Sequence, residues 1–563
     1  MVTMLARVFV VVGWLAVCSG AGAQGDWFRD VAAEAGVDFT YRNGMQGEFY
    51  FPEIMGGGAA LFDYDGDGLL DLYLVQAGAI GPDVAAADRE HGDRLYRNRS
   101  ARNENGEWVV RFEDVTAEAG IDARGYGMGV TVGDYNADGH PDLYVLNFGD
   151  NQLWRNNGDG TFTDVTESAG VNDPRWSVSG SFADLDGDGY QELIVVNYAD
   201  YDLDSHRECR ASGSGRPDYC SPSAYPAAGD RLFRNLGDGR FEDVTDAAGM
   251  GEVSSHGLGV IAADLDGDGK RDIYVANDGS ANFFWLNRGD MRFKDDAMLA
   301  GNAVNGDGAA EAGMGVDAAD YDHSGAEDIL ITHLKRETNT LYRNDGQGWF
   351  TDVSAASGLG PPSLPYTGFG TRFVDFDLDG WLDVFVANGA VTEEADLAAA
   401  GDPFPYHQTN QLFINHGEGQ FKDATDRAGA ALRRSRASRG AAFGDIDNDG
   451  RGDIVVVNTN EAAEILVNRL DERGRWIGLV PMVDGRAASG VRAWRLAEGD
   501  RRVLRRSRRD GSYASASDPR IVFGLGEIEA DQAFEMEWAD GTKETFGDLP
   551  VGHYHRINKG SGQ

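Results

Sequence analysis

The sequence predicts an all-β chain, a seven-bladed β-propeller followed by a small β-rich domain, and three observations lead to it. A glycine-rich run, an acidic loop and an apolar run such as Asp-Leu-Tyr-Val recur together seven times. Two further phrases follow most copies, so each repeat offers four short strands. The last repeat lacks its fourth phrase, and that phrase stands alone near the start of the chain.

The acidic loops come first in each repeat. Positions 1, 3, 5 and 9 are Asp63, Asp65, Asp67 and Asp71; Asp134, Asn136, Asp138 and Asp142; Asp184, Asp186, Asp188 and Glu192. They continue as Asp264, Asp266, Asp268 and Asp272; Asp320, Asp322, Ser324 and Asp328; Asp375, Asp377, Asp379 and Asp383; Asp445, Asp447, Asp449 and Asp453. Position 6 is always glycine. Oxygen side chains at 1, 3 and 5 with glycine at 6 are the core of an EF-hand-like calcium loop, in which the carbonyl at position 7 adds a ligand. Those carbonyls belong to Leu69, His140, Tyr190, Lys270, Ala326, Trp381 and Arg451. An acid at position 9, just before a β run, replaces the distant glutamate of an EF-hand, so a strand leaves the loop. Of 93 acidic residues, 26 occupy these positions, which repulsion alone would disfavour. The expectation is up to seven structural Ca²⁺ ions, hard cations suited to oxygen ligands.

The second phrase supplies the third strand: Leu95-Tyr-Arg-Asn98, Leu153-Trp-Arg-Asn156, Leu232-Phe-Arg-Asn235, Leu341-Tyr-Arg-Asn344 and looser copies. Turns such as Gly158-Asp159-Gly160 then reverse the chain. The third phrase, as in Phe162-Thr-Asp-Val165, forms the outer strand. Residues 27–31, Trp-Phe-Arg-Asp-Val, are expected to complete the last blade and close the ring, giving a propeller over 27–468 and a second domain over 475–560. Closure removes free sheet edges.

A net charge of −43 argues against nucleic-acid binding through phosphates without a local basic patch. Arg7, the apolar run from Val8 to Val17, and Ala21-Gly22-Ala23 read as a signal peptide over residues 1–23, hence a secreted chain. No other stretch is apolar and long enough to span a bilayer as a helix. Cys209 and Cys220, the two cysteines left after cleavage, suggest one disulfide. They lie in one of three long connections, 76–92, 199–229 and 389–408, expected on the face opposite the calcium loops. Tyr198, Tyr201, His206, Tyr219, Tyr225, Tyr406 and His407 sit in or beside these connections and form a candidate ligand face of exposed aromatics. Arg501, Arg502, Arg505, Arg506, Arg508 and Arg509 form a basic cluster, either a solvated strand edge, a surface docked on the acidic propeller, or a site for an anionic glycan or surface.

The repeats resemble FG-GAP/VCBS repeat proteins, the propeller type also found in integrin α subunits. Gly511-Ser-Tyr513-Ala-Ser515, Phe523-Gly-Leu-Gly526 and Trp538-Ala-Asp-Gly541 resemble an ASPIC/UnbV module, although Ala539 replaces that family's usual proline. Together the modules are similar to bacterial relatives of cartilage acidic protein. The resemblance implies extracellular calcium binding and an interaction role. The expected function is a non-enzymatic scaffold binding an extracellular protein or glycan. A calcium-dependent carbohydrate-active lyase and an accessory protein of a secreted or biosynthetic assembly are the alternatives.

Overall fold

The computed structural model describes residues 26–563 except 85–89, 212–213, 418, 471–473 and 497–501. The expected leader and Arg501 lie outside the described residues. Seven four-stranded antiparallel sheets make up the larger part of the fold. Blade 1 holds Ala59–Phe62, Asp71–Leu74, Arg94–Asn98 and Phe112–Asp114. Blades 2 to 6 repeat the pattern, with first strands Gly127–Gly133, Ser177–Ala183, Gly257–Ala263, Val316–Ala319 and Gly368–Val374. In blade 7, Ser438–Gly444, Asp453–Asn458 and Glu464–Asn468 are joined by Phe28–Asp30 from the N-terminus, with Phe28 opposite Asn468 and Asp30 opposite Leu466. First strands touch first strands from blade to blade, and blade 7 touches blade 1, so the sheets stand in a closed ring. The fold is a β-propeller.

Apolar alternation along each strand puts side chains on both faces of every sheet, and the core lies between blades. One cluster joins Val130, Val132 and Trp154 of blade 2 to Phe62, Tyr73 and Leu95 of blade 1. Another joins Ile261, Tyr274 and Phe284 of blade 4 to Ile329 and Tyr342 of blade 5. Burial on this scale is the main favourable term in folding.

The asparagine ending each third strand ties the blades together. Asn98 Nδ2 donates to the Ile446 carbonyl, Asn156 to Tyr64, Asn235 to Tyr135 and Asn287 to Leu185. Asn344 donates to Leu265, Asn415 to Tyr321 and Asn468 to Phe376. Every acceptor is the position-2 carbonyl of the preceding blade's acidic loop, so seven such bonds close the circle. Six of these amides also donate to the position-8 carbonyl of their own loop.

The second domain packs two sheets, one of Arg475–Val483, Arg486–Ala487, Ile521–Gly526 and Tyr554–Asn558, the other of Arg492–Leu496, Arg502–Arg506, Gln532–Glu537 and Lys543–Leu549. Ile477, Leu479, Phe523, Phe534 and Trp538 lie in its core.

Asn344→Ala is expected to lower stability by about 3 kcal/mol in chemical denaturation, because it strips donors from the buried Leu265 and Glu327 carbonyls, each costing about 1–3 kcal/mol. Asn103→Ala, in an exposed hairpin, changes it by less than about 0.5 kcal/mol.

Candidate metal centres and the cavity on the opposite face

The acidic loops share one geometry. Glycine at position 6 has φ between 88° and 100° in all seven, a conformation that side chains resist. This turn folds positions 1 and 3 back toward position 9. Carboxylate oxygens of Asp63, Asp65 and Asp71 all lie within 4.8 Å of one another. The same holds for Asp184, Asp186 and Glu192; Asp264, Asp266 and Asp272; Asp320, Asp322 and Asp328; and Asp375, Asp377 and Asp383. These groups are of a size and donor chemistry that could hold a metal ion.

Each position-9 acid, at the start of the second strand, is anchored at both oxygens. Asp71 accepts from the Tyr64 and Asn98 amides at 3.0 and 2.8 Å, and Asp453 from Ile446 and Asn468 at 2.9 and 2.8 Å. Burial first, then neighbouring carboxylates, pushes Asp71, Glu192 and Asp272 up to about 8. Position 5 also shapes the turn. Asp67, Asp138, Asp188, Asp268, Asp379 and Asp449 each accept the amide of position 7, holding the turn with one oxygen. In loop 2, Asn136 donates to Asp138 at 2.7 Å, and in loop 5 Ser324 accepts the Ala326 amide at 3.4 Å. Arginines of the third strand reach position 3, with Arg97 at 2.5 Å from Asp65 and Arg234 at 2.8 Å from Asp186.

The basic cluster of the second domain is docked on this loop-bearing face. Arg505 and Arg508 are buried, and Arg505 donates to the Gly380 carbonyl of loop 6. Arg506 pairs with Glu327 at 2.9 Å, and Arg508 pairs with Asp317. Arg502 stays exposed beside Glu535. Arg492 reaches Asp264 at 2.8 Å, and the Tyr554 hydroxyl donates to Asp445 at 2.8 Å. Of the three readings of the cluster, docking on the propeller describes Arg505, Arg506 and Arg508 directly.

Between Arg506 and Ile521 the chain leaves its own domain and fills the propeller's central channel. It meets the first strand of every blade. The Ala516 carbonyl accepts from Leu61, the Ala514 carbonyl from Val130, and the Ser512 carbonyl from Val316. Ser179 Oγ accepts from the Ala514 amide, and Asp510 accepts the Ala262 amide. Arg372 donates to the Asp510 carbonyl, and Ser512 Oγ to Ala441. Tyr513 is fully buried and its hydroxyl donates to the Met55 carbonyl beyond the far end of the ring. The glycines of the first strands make room: a Cβ on Gly129 would lie 2.2 Å from the Val178 carbonyl and 3.0 Å from that of Ala514. Gly127, in the same strand, instead abuts Val75 and the Gln76 carbonyl.

The opposite face corrects the expectation of exposed aromatics. Tyr198, Tyr201, Tyr219, Tyr225 and Tyr406 are all buried. Phe51 packs edge-on to Trp176 at 5.2 Å, Trp176 to Tyr198 at 5.0 Å, and Tyr201 to Tyr225 at 4.8 Å. Hydroxyls are consumed internally, Tyr198 on Asp278, Tyr219 on Glu53 and Tyr406 on Asp218. The segment 37–58, which carries no repeat phrase, folds over these rings and supplies Phe51 and Glu53. His206 and His407 remain half-buried at the edge. Cys209 and Cys220 are bonded, at an S–S distance of 2.06 Å. Arg439, absent from the expected site, is fully buried, donates to Ile54 and Ala390 carbonyls, and lies 4.2 Å over Phe369.

A cavity of about 1130 Å³ opens on this face. Phe51, Ile54, Met55, Met314, Leu334 and Val391 form apolar walls, and the disulfide, Asp278, Glu337, His256 and Arg216 supply the polar ones. Tyr198 and Tyr219 are the two expected aromatics that line it.

A closed ring of sheets with an acidic loop entering each second strand defines a repeat propeller with candidate cation sites. The FG-GAP-like repeat matches at residues 81–145, 134–195, 212–275, 264–331, 320–386 and 394–456, and ASPIC and UnbV at 484–563. The chain belongs to the FG-GAP-like repeat family. It is 26% identical over 513 residues to cartilage acidic protein 1 of Mus musculus, covering 87% of this chain and 71% of that protein. The Homo sapiens protein is 25% identical over 514 residues, with 87% and 70% covered. Among solved structures, an Agrocybe aegerita lectin recognising non-reducing terminal N-acetylglucosamine aligns with TM-score 0.39 and 17% identity over 72% of this chain and 86% of its own. The rhamnogalacturonan lyase YesW aligns with TM-score 0.28 and 14% identity over 72% and 81%. Similarity at these scores bears on neither ligand nor reaction. No helix among the described residues is long and apolar enough to cross a membrane.

His407 ties the loop 389–408 to blade 7, with Nε2 3.3 Å from Glu461 and Nδ1 3.4 Å from Asp402. The Glu461 contact raises its pKa above 6.5. The stabilisation is complete below that value and is lost as pH rises through the raised one. His407→Gln should therefore lower the melting temperature at pH 6 and leave it unchanged at pH 8.5.

Proposed function

We propose that this chain is a secreted, calcium-bound propeller that acts as a non-enzymatic extracellular recognition scaffold for a protein or glycan. The ligand seat is the cavity opposite the acidic loops. The observation that carries this reading is the division of labour between the two faces. One face is occupied by candidate cation loops and the docked second domain. The other holds a large apolar-walled cavity with few converging polar groups, the usual form of a binding site.

Calcium supports the frame in this reading. Position-9 acids open the second strands, and position 1 of loops 4 and 7 accepts contacts from the second domain. A cation there strengthens both the blade and the docking. Ions that bind only the folded chain stabilise it by mass action, about 2.7 kcal/mol per site at a hundredfold excess over Kd. Similarity to cartilage acidic protein 1 and the leader-like N-terminus support an exported chain.

Metal analysis of the purified chain should find several calcium ions per molecule, and EDTA should lower the melting temperature. Asp272→Asn should remove one ion from the count. An unchanged count and melt in EDTA would sink the calcium reading.

For the ligand seat, a glycan and matrix-protein array should give binding that Thr392→Trp, which fills the cavity mouth, abolishes. Unsaturated sugar products on incubation with polysaccharide would overturn the scaffold in favour of a lyase.

A further inference from the structure

A second cavity, of about 390 Å³, lies between the two domains, against the acidic loops of blades 2 and 3. Cations crowd it in a chain whose net charge is −43. Most are already paired. Arg508 meets Asp317, Arg486 meets Asp484 at 3.9 Å, and Lys559 meets Asp540. Two are not. Among the described residues Arg271 donates only to main-chain carbonyls, of Asp184 and Gly490, and has no ion pair. Arg509 lines the same cavity, and its guanidinium makes neither a hydrogen bond nor an ion pair among the described residues. Arg506 completes the set. Its side chain is only 4% exposed, one edge is held by Glu327, and its Nη2 is buried without a partner.

A buried guanidinium edge without an acceptor is costly, and two cations without a hydrogen-bonded carboxylate add to that cost. Of the acids that line it, Asp510 already accepts the Ala262 amide and lies 3.9 Å from Arg506, and Asp540 pairs with Lys559, whereas Asp134, Asp184 and Asp188 belong to the loops assigned above to cations. The inference rests on that assignment to this extent: once those acids serve an ion, the arginines need a negative group of their own. Guanidinium forks match the planar or tetrahedral oxygens of carboxylate, sulfate and phosphate, and paired forks give bidentate contacts. Ser489 lines the same space, and the exposed Ala539-Asp540 turn marks its mouth, leaving room for a small body beyond the charged end.

We propose that this interdomain cavity is an oxyanion site in which Arg271, Arg506 and Arg509 hold a sulfate or phosphate group, free or carried on a sugar. An occupant there touches both domains and two acidic loops, so it couples domain docking to cation binding.

The test is isothermal titration of the full, calcium-loaded chain with sodium sulfate and, separately, with glucose 6-phosphate, at constant ionic strength in chloride. One saturable site is expected. Equal affinities identify a free oxyanion as the ligand, and tighter binding of glucose 6-phosphate identifies a sugar-borne one. Arg271→Gln and Arg509→Gln should each weaken binding at least tenfold, and Arg240→Gln, in an exposed hairpin, should leave it unchanged. Should one variant fail to fold by thermal melt, the other decides. Absence of saturable binding, or affinity that survives the folded cavity variants, overturns the proposal. A parallel calcium titration separates the two readings. Calcium uptake without sulfate binding sinks the anion site alone, whereas sulfate binding without calcium uptake sinks the loops and leaves the anion site standing.

Discussion

The inner edge of each blade is a row of backbone groups facing a channel, and those groups must find partners. This protein supplies them from its own C-terminal domain. Residues 508–517 run into the channel and bond the first strand of all seven blades, through main chain, serine hydroxyls, Asp510 and Arg372. The two domains are therefore one folding problem. Without that segment those edge groups would turn to water in an open channel, at a net loss of about 0.5–1.5 kcal/mol per bond. The segment also decides what the channel can do. Tyr513 is fully buried along it, so the channel is filled by side chain and main chain.

A second constraint works at the outer radius. A blade pressed against its neighbour by apolar contacts alone could slide, because dispersion is not directional. The third-strand asparagines prevent that. Each reaches a carbonyl at position 2 of the preceding loop, while its own amide binds the position-9 acid of its own blade, as Asn156 does with Tyr64 and Asp142. The candidate cation loop and the blade-to-blade lock thus share a residue and a carboxylate. Ordering one orders the other, and a cation in the loop would be felt at the seam.

The two faces follow from this arrangement. Loop geometry, basic docking residues and the channel segment all converge on one side. On the other side, the three long connections and segment 37–58 are free of repeat constraints. Those connections spend their aromatic rings on packing one another. Tyr198, Tyr219 and Tyr406 give their hydroxyls to Asp278, Glu53 and Asp218, and this fixes the walls of the cavity rather than offering rings to solvent.

The sequence alone determined the repeat: where the acidic loops stand, that strands leave them, and that four strands form each unit. Those features are local. Glycine at position 6 and acids at 1, 3 and 9 act within one turn, and their order in the chain is their order in space. The basic cluster was legible as a cluster, but its burial was not, because the acids that receive it, such as Asp317 and Glu327, lie almost two hundred residues away. The same distance hid Arg439, Glu53 and the course of Gly511-Ser-Tyr513-Ala-Ser515 through the channel. A periodic pattern reports on which side of its own strand a residue lies. Only the closed ring decides what stands opposite, since that depends on contacts between segments that share no pattern.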